Sequence, residues 1–255
     1  MEQTSPAKRG FALFVHGYMD DSAAWRDTLA AMPAESVEPW EFAALDLELQ
    51  TSEAPTSDLL LEGFAEQVVA FARRQAAGRD IVLIGHSMGG AIVELAAELL
   101  GSRVKALVLV TPAPLAGSPL PPEVMQRFES RLGSTNVEAI RTGRMAMSRS
   151  LPDPGLEVLI ASSLRTGKAQ GWQQLKAWTG GHRAGREPST FHGPVLVVAT
   201  DDRFFTHAAL QEAALRFRTA SVAHIAGAGH WAHLEKPQAL AAHIAGFLQP
   251  LGAAS

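Results

Sequence analysis

The chain has 255 residues, 47% of them hydrophobic, a formal charge of -4, a pI near 6.1 and no cysteine. That length and apolar content suit one domain, or one domain carrying an insertion, around a large core. The charge offers no basic field for nucleic acid, and the absence of cysteine excludes disulfides and thiolate metal sites.

Taken in chain order, the first ten residues lack an apolar signal core, and no apolar run approaches the roughly 18 to 20 residues of a membrane span. A soluble cytoplasmic protein, with neither a membrane nor a nucleic acid as partner, is therefore expected. Apolar runs at 11–16, 42–47, 81–84, 105–110, 195–200 and 222–226 predict strands. Between most of them, at 23–31, 59–77, 91–100, 206–218 and 237–248, apolar residues recur at three and four, as in helices packing on a sheet. Strands that are apolar throughout and alternate with helices imply a mainly parallel sheet covered on both faces. In such sheets ligands bind beyond the carboxyl ends of the strands.

Residues 80–90 carry the chemistry. The apolar run Ile81-Val82-Leu83-Ile84 enters Gly85-His86-Ser87-Met88-Gly89 and continues as an Ala-rich helix. A serine on a tight strand-to-helix turn adopts strained backbone angles, and small neighbours let the two elements approach. The N-terminus of the helix favours an oxyanion beside it. Ser87 is accordingly the candidate nucleophile, and it requires a base and a carboxylate that orients the base. His230 lies on a loop past the strand expected at 222–226. Asp201 and Asp202 close the strand at 195–200, and either can orient His230. The remaining histidines show no compact metal-ligand spacing, so neither a metal nor a cofactor is expected.

The order Ser87, then Asp201 or Asp202, then His230 is that of α/β-hydrolases. Through Phe14-Val15-His16-Gly17-Tyr18, Gly85 to Gly90, the segment 194–203 and Gly229-His230-Trp231, the chain resembles that superfamily over about residues 11–248. The resemblance implies an α/β-hydrolase fold of about six strands. The first hairpin common in relatives is absent or reduced, because His16-Gly17 arrives so early. It selects Asp202 over Asp201 by register and assigns the oxyanion hole to the backbone N–H groups of Tyr18 and Met88. The Asp-x-Pro-Gly-x-Gly turn common after the second strand is missing from 46–55, where a longer, more mobile loop is expected.

From 112 to 194 the strand rhythm stops, and helices are predicted at 122–132, 136–148, 156–166 and 169–179. The resemblance makes 112–190 a helical cap on a core of 1–111 and 191–255. Its apolar inventory of Met125, Phe128, Met145, Met147, Leu159, Trp172, Leu175 and Trp178 favours an apolar acyl or aromatic group, part of it serving as the cap's own core. Trp231, Met145, Trp172 and Trp178 are the candidate substrate contacts. Basic residues outnumber acidic ones in this segment, which admits an anionic substrate if Arg141, Arg144 and Arg149 face it. The expected activity is hydrolysis of a carboxylic ester or related acyl compound. A carbon–carbon hydrolase of ring-fission diones, a cofactor-free haloperoxidase or perhydrolase, and a non-catalytic small-molecule receptor are the alternatives. The sequence leaves the oligomeric state open.

Overall fold

The computed structural model describes residues 10–50 and 56–253. Six strands form one sheet in the order β2-β1-β3-β4-β5-β6, with every neighbouring pair parallel. They are β1 (Gly10–Val15), β2 (Trp40–Leu45), β3 (Asp80–His86), β4 (Val104–Val110), β5 (Val195–Thr200) and β6 (Ala220–Ile225). All six expected strands are present, and β2 lies two residues earlier than the apolar run suggested. The expected loop at 46–55 falls partly outside the described residues, at 51–55.

Alternation along the strands sends side chains to opposite faces. Phe11, Leu13 and Val15 of β1 join Ile81 and Leu83 of β3 beneath the helices Ser57–Ala76 and Met88–Leu100. Ala12 and Phe14 join Val82 and Ile84 on the other face, under Trp25 and the helix Pro237–Ala253. The central strands β1 and β3 are thus buried on both sides, which is why they read as unbroken apolar runs. Among the described residues no helix is long and apolar enough to cross a membrane.

Four helices, Pro122–Arg131, Val137–Ala146, Asp153–Arg165 and Lys168–Gly180, fill the interval between β4 and β5. Leu151, Leu156, Leu159 and Ile160 form a small core of their own with Ala24, Trp231 and Leu234. Leu175, Ala177 and Trp178 of the last helix instead join the main core against Ser57–Ala76. The helix expected at 23–31 begins as a 3-10 turn at Ser22–Trp25, where Asp21 accepts a hydrogen bond from the Ala23 N–H, before Arg26–Ala30 turns α-helical.

The crossing of β3 and its following helix is close enough to exclude a side chain at Gly85. A Cβ there would lie 2.3 Å from the Gly89 carbonyl oxygen. Gly246, on the exposed side of the last helix, faces open space. Gly85→Ala should therefore destabilise by about 1–3 kcal/mol, as overpacking does. Gly246→Ala should stabilise by about 0.5–1 kcal/mol through lower unfolded-state entropy. Urea midpoints at unchanged slope would measure both; equal effects would show that the Gly85 contact relaxes freely.

Candidate active site

β3 ends at His86, and the helix behind it begins at Met88, leaving Ser87 alone at the turn with φ 52 and ψ -120. Its backbone is tied on both sides. The Ser87 N–H donates to the Val110 carbonyl at 3.0 Å, and the Ser87 carbonyl accepts from the N–H groups of Gly90 and Ala113, each at 2.9 Å. Gly89 sits where a Cβ would meet the Val15 carbonyl oxygen at 2.5 Å, so the helix start can pass directly beneath the end of β1. Met88 opens the helix, and its N–H has no intrahelical acceptor.

The loop after β6 brings His230 to the cavity that Ser87 also lines. His230 Nδ1 lies 2.7 Å from Asp202 Oδ2, and both side chains are buried. The other Asp202 oxygen accepts from the Phe204 N–H at 2.7 Å. Burial pushes the Asp202 carboxyl up, but the His230 hydrogen bond and charge, with the N–H groups of Phe204 and Phe205, more than offset it and hold it below the usual range. Asp201 points elsewhere: it is exposed and accepts from His224 Nε2 at 3.0 Å and the Gly227 N–H at 2.7 Å. The His230 carbonyl accepts from Thr111 Oγ1 and His86 Nε2, so the loop is anchored to the ends of β4 and β3.

Tyr18 lies just past β1 in a turn closed by the Asp20 N–H donating to the Gly17 carbonyl. His16 supports this turn: Nδ1 donates to the Gly17 carbonyl at 2.8 Å, while Nε2 accepts from the Leu47 N–H at 3.0 Å. Tyr18, Ser87, His230 and Trp231 line one cavity of about 140 Å³. Phe128, Ile140, Met147 and Trp178 supply walls from the helical insertion, and Phe204 and Phe205 from the loop after β5. Met145 and Trp172 do not line it. They are 45% and 38% exposed, because each sits on the outer face of its helix while Gly143, Arg144 and Trp178 face inward. Phe204 and Phe205 escaped the sequence reading, although two aromatics directly after Asp202-Arg203 were a usable signal.

One wall of the cavity belongs to a buried polar cluster that the sequence did not reveal. Arg144 pairs with Asp20 at 2.8 Å, Trp231 Nε1 donates to Asp20 at 3.1 Å, and the Arg144 guanidinium stacks over the Trp231 ring at 5.2 Å. His86 and His233 pack edge-to-face beside them, ring centroids 4.4 Å apart. The potential ligand atoms of Asp20, His86 and His233 lie within 4.8 Å of one another. A cation fits this set poorly, because Arg144 already balances the only carboxylate in it. Arg141, for its part, is paired with Glu157 at 2.7 Å, and Arg149 donates to the Asp201 carbonyl.

Burial, reinforced by the neighbouring His230 charge, lowers the His86 pKa to about 3, and burial beside His86 lowers that of His233 as well. Unfolded, both rings titrate near 6.5. As pH falls from about 6.5 toward 3, the unfolded chain takes up protons that the fold refuses, so stability must fall across that window. Asp202, whose pKa is depressed, adds stability above about 3.9 and loses it only below that. Urea unfolding should therefore give a lower midpoint at about pH 5 than at pH 7.5. A flat response would mean that the two rings are charged in the fold.

The fold has recognisable counterparts. A family model described as the alpha/beta hydrolase family matches residues 12–243. Over 107 residues the chain is 32% identical to a Mycoplasma pneumoniae protein named "Putative esterase/lipase 2", covering 41% of this chain and 38% of that one. It is 22% identical over 179 residues to esterase YbfF of Escherichia coli, covering 65% and 66%. The chain thus spans less than two thirds of the length of either relative. The solved esterase of Exiguobacterium antarcticum superposes with a TM-score of 0.80 at 12% identity, over 95% of this chain and 92% of that one. With a match running from β1 to the last helix, the chain belongs to the α/β-hydrolase family.

Proposed function

We propose that the protein is a serine hydrolase that cleaves a small carboxylic ester through an acyl-enzyme. The observation that carries this reading is the His230–Asp202 pair at 2.7 Å, facing with Ser87 one largely apolar cavity. In the reaction, His230 takes the proton of the Ser87 hydroxyl as its oxygen attacks the carbonyl carbon. The N–H groups of Tyr18 and Met88 receive the developing oxyanion. His230 then returns the proton to the departing alcohol. A water molecule, deprotonated in turn by His230, releases the acid. Asp202 holds the ring with Nδ1 protonated and stabilises the imidazolium.

The helical segment 112–190 serves in this reading as a cap on the core of 1–111 and 191–255. It supplies Phe128, Ile140, Met147 and Trp178 as walls over a floor made by the strand ends. Trp178 and Trp231 act as substrate contacts. A cavity of about 140 Å³ matches the size that accommodates about one benzene ring, which favours a short acyl chain or a single aryl group. Of the three arginines singled out by sequence, Arg144 alone lines the cavity, and Asp20 already balances it. Arg131 also lines the cavity and has no ion pair among the described residues, so a substrate carrying an anionic group has a counter-charge available there. Esterase is also the activity named for the Escherichia coli relative.

Fluorophosphonate should label Ser87, and Ser87→Ala should lower turnover of nitrophenyl esters by roughly 1000-fold or more without loss of fold. Acetate, butyrate and benzoate esters should be turned over well and the decanoate poorly. Retained activity in Ser87→Ala would sink the mechanism, and a preference for the decanoate would sink the size assignment.

The neighbouring carboxylates separate cleanly. Asp202→Asn should cost several orders of magnitude in kcat by presenting the wrong partner to His230 Nδ1. Asp201→Asn, which touches only His224 and Gly227, should cost less than about tenfold. Reversed effects would assign the orienting role to Asp201.

A further inference from the structure

We propose that Arg144 and Gln174 are positioning residues that hold the oxyanion turn in its working shape, so that docking of the helical insertion assembles the hole. The proposal rests on the serine-hydrolase reading, in which the Tyr18 N–H receives the oxyanion.

The turn contains an anomaly. Residues 17–20 are closed by the Asp20 N–H donating to the Gly17 carbonyl, and Met19, the third residue, has φ 54. That position ordinarily takes Gly or Asn, because a Cβ there crowds the following backbone. Something else must hold Met19. Its N–H donates to Gln174 Oε1 at 2.9 Å, and its carbonyl accepts from Arg144 Nη2 at 2.8 Å. Both side chains come from the insertion, from the helices Lys168–Gly180 and Val137–Ala146. Each of the two peptide groups flanking Met19 is thus gripped by a different helix of the insertion.

The two side chains are built for this. Gln174 is fully buried, and Arg144 is 9% exposed. Arg144 is itself fixed by two hydrogen bonds to Ser163 Oγ and by the ion pair with Asp20. Asp20 in turn accepts from Trp231 Nε1, the residue after His230, so the network reaches from the oxyanion turn to the base loop. A third helix of the insertion adds an exposed ion pair between Arg165 and Asp21. Tyr18 is bonded directly to Met19, so a change of φ at Met19 re-aims the Tyr18 backbone. Displacement of a reacting group by about 1 Å can cost on the order of 100-fold in rate.

The test uses Gln174→Met, which keeps the volume but removes the acceptor, and Arg144→Lys, which keeps the charge but removes the fork. Each should lower kcat about 10- to 100-fold while changing KM less than about threefold. A trifluoromethyl ketone, whose adduct with Ser87 places an oxyanion in the hole, should lose affinity in parallel with kcat. The corresponding secondary alcohol, which forms no adduct, should bind as before. Met19→Gly in the Gln174→Met background should recover much of the lost kcat, because glycine adopts the turn without help. If either variant alters KM or thermal stability alone and the ketone-to-alcohol affinity ratio stays unchanged, the side chains merely pack the insertion and the proposal falls. Should Gln174→Met fail to fold, Arg144→Lys alone reads the same ratio. Fluorophosphonate labelling of wild-type Ser87 separates the two levels: no labelling overturns both readings, whereas labelling with unchanged ratios overturns only this one.

Discussion

The hydrogen bonds that pin the Ser87 backbone to Val110, Gly90 and Ala113 fix the point from which the rest of the site is measured. They make the position of the hydroxyl a consequence of the register between β3 and β4. A residue with a Cβ at positive φ carries a strain of about 1–3 kcal/mol, which persists only when its surroundings over-determine it. Here the surroundings are two strands buried on both faces and a helix whose first turn passes directly beneath β1. The loops after β1, β5 and β6 then need only reach inward at the same end of the sheet to meet that point.

The helical insertion is knitted to these loops through backbone groups, which ties it in more closely than apolar contact alone. The His230 N–H donates to the Met147 carbonyl. The buried carboxylate of Glu235 accepts from the N–H groups of Arg149 and Ser150 in the insertion and from those of Gly229 and Trp231 on either side of His230. A carboxylate shared among four main-chain donors gives charge-assisted bonds that lock both segments together. Together with the Met19 contacts, this makes the insertion part of the framework of the site. Its charge bias is also explained. Arg144, Arg165 and Arg183 are engaged by Asp20, Asp21 and Asp58 outside the insertion, so much of the basic excess works as fastening.

Much of the fold was legible because the sheet is parallel and covered on both faces. Such strands show as short, wholly apolar runs, and the helices between them show the three-and-four spacing that one-sided burial demands. β2 was displaced in the reading because Trp40 is buried while Glu41 beside it is exposed at the sheet edge, which breaks the run. The wrong choices in the insertion have a common cause. Met145 and Trp172 are apolar but lie on the outward faces of their helices. In a segment whose helices pack on different partners, composition does not say which face is inside.

By itself the sequence determined the fold class, the family and the local turn at Ser87. Each of these follows from residues close together in the chain: apolar periodicity, small residues flanking a serine, and a histidine after a strand. The resemblance had already selected Asp202 by register, and the tertiary structure gives the physical reason: neighbouring residues leaving a strand point in opposite directions, so Asp202 reaches His230 while Asp201 turns to His224 and Gly227. Tertiary structure also brought Asp20, Arg144, Trp231, His86 and His233 into one buried cluster. Four separate segments contribute to that cluster, and each of its polar side chains taken alone would have been assigned to the surface. Burying them is tolerable only because the fold supplies their partners, and no local pattern in a chain records a partner more than a hundred residues away.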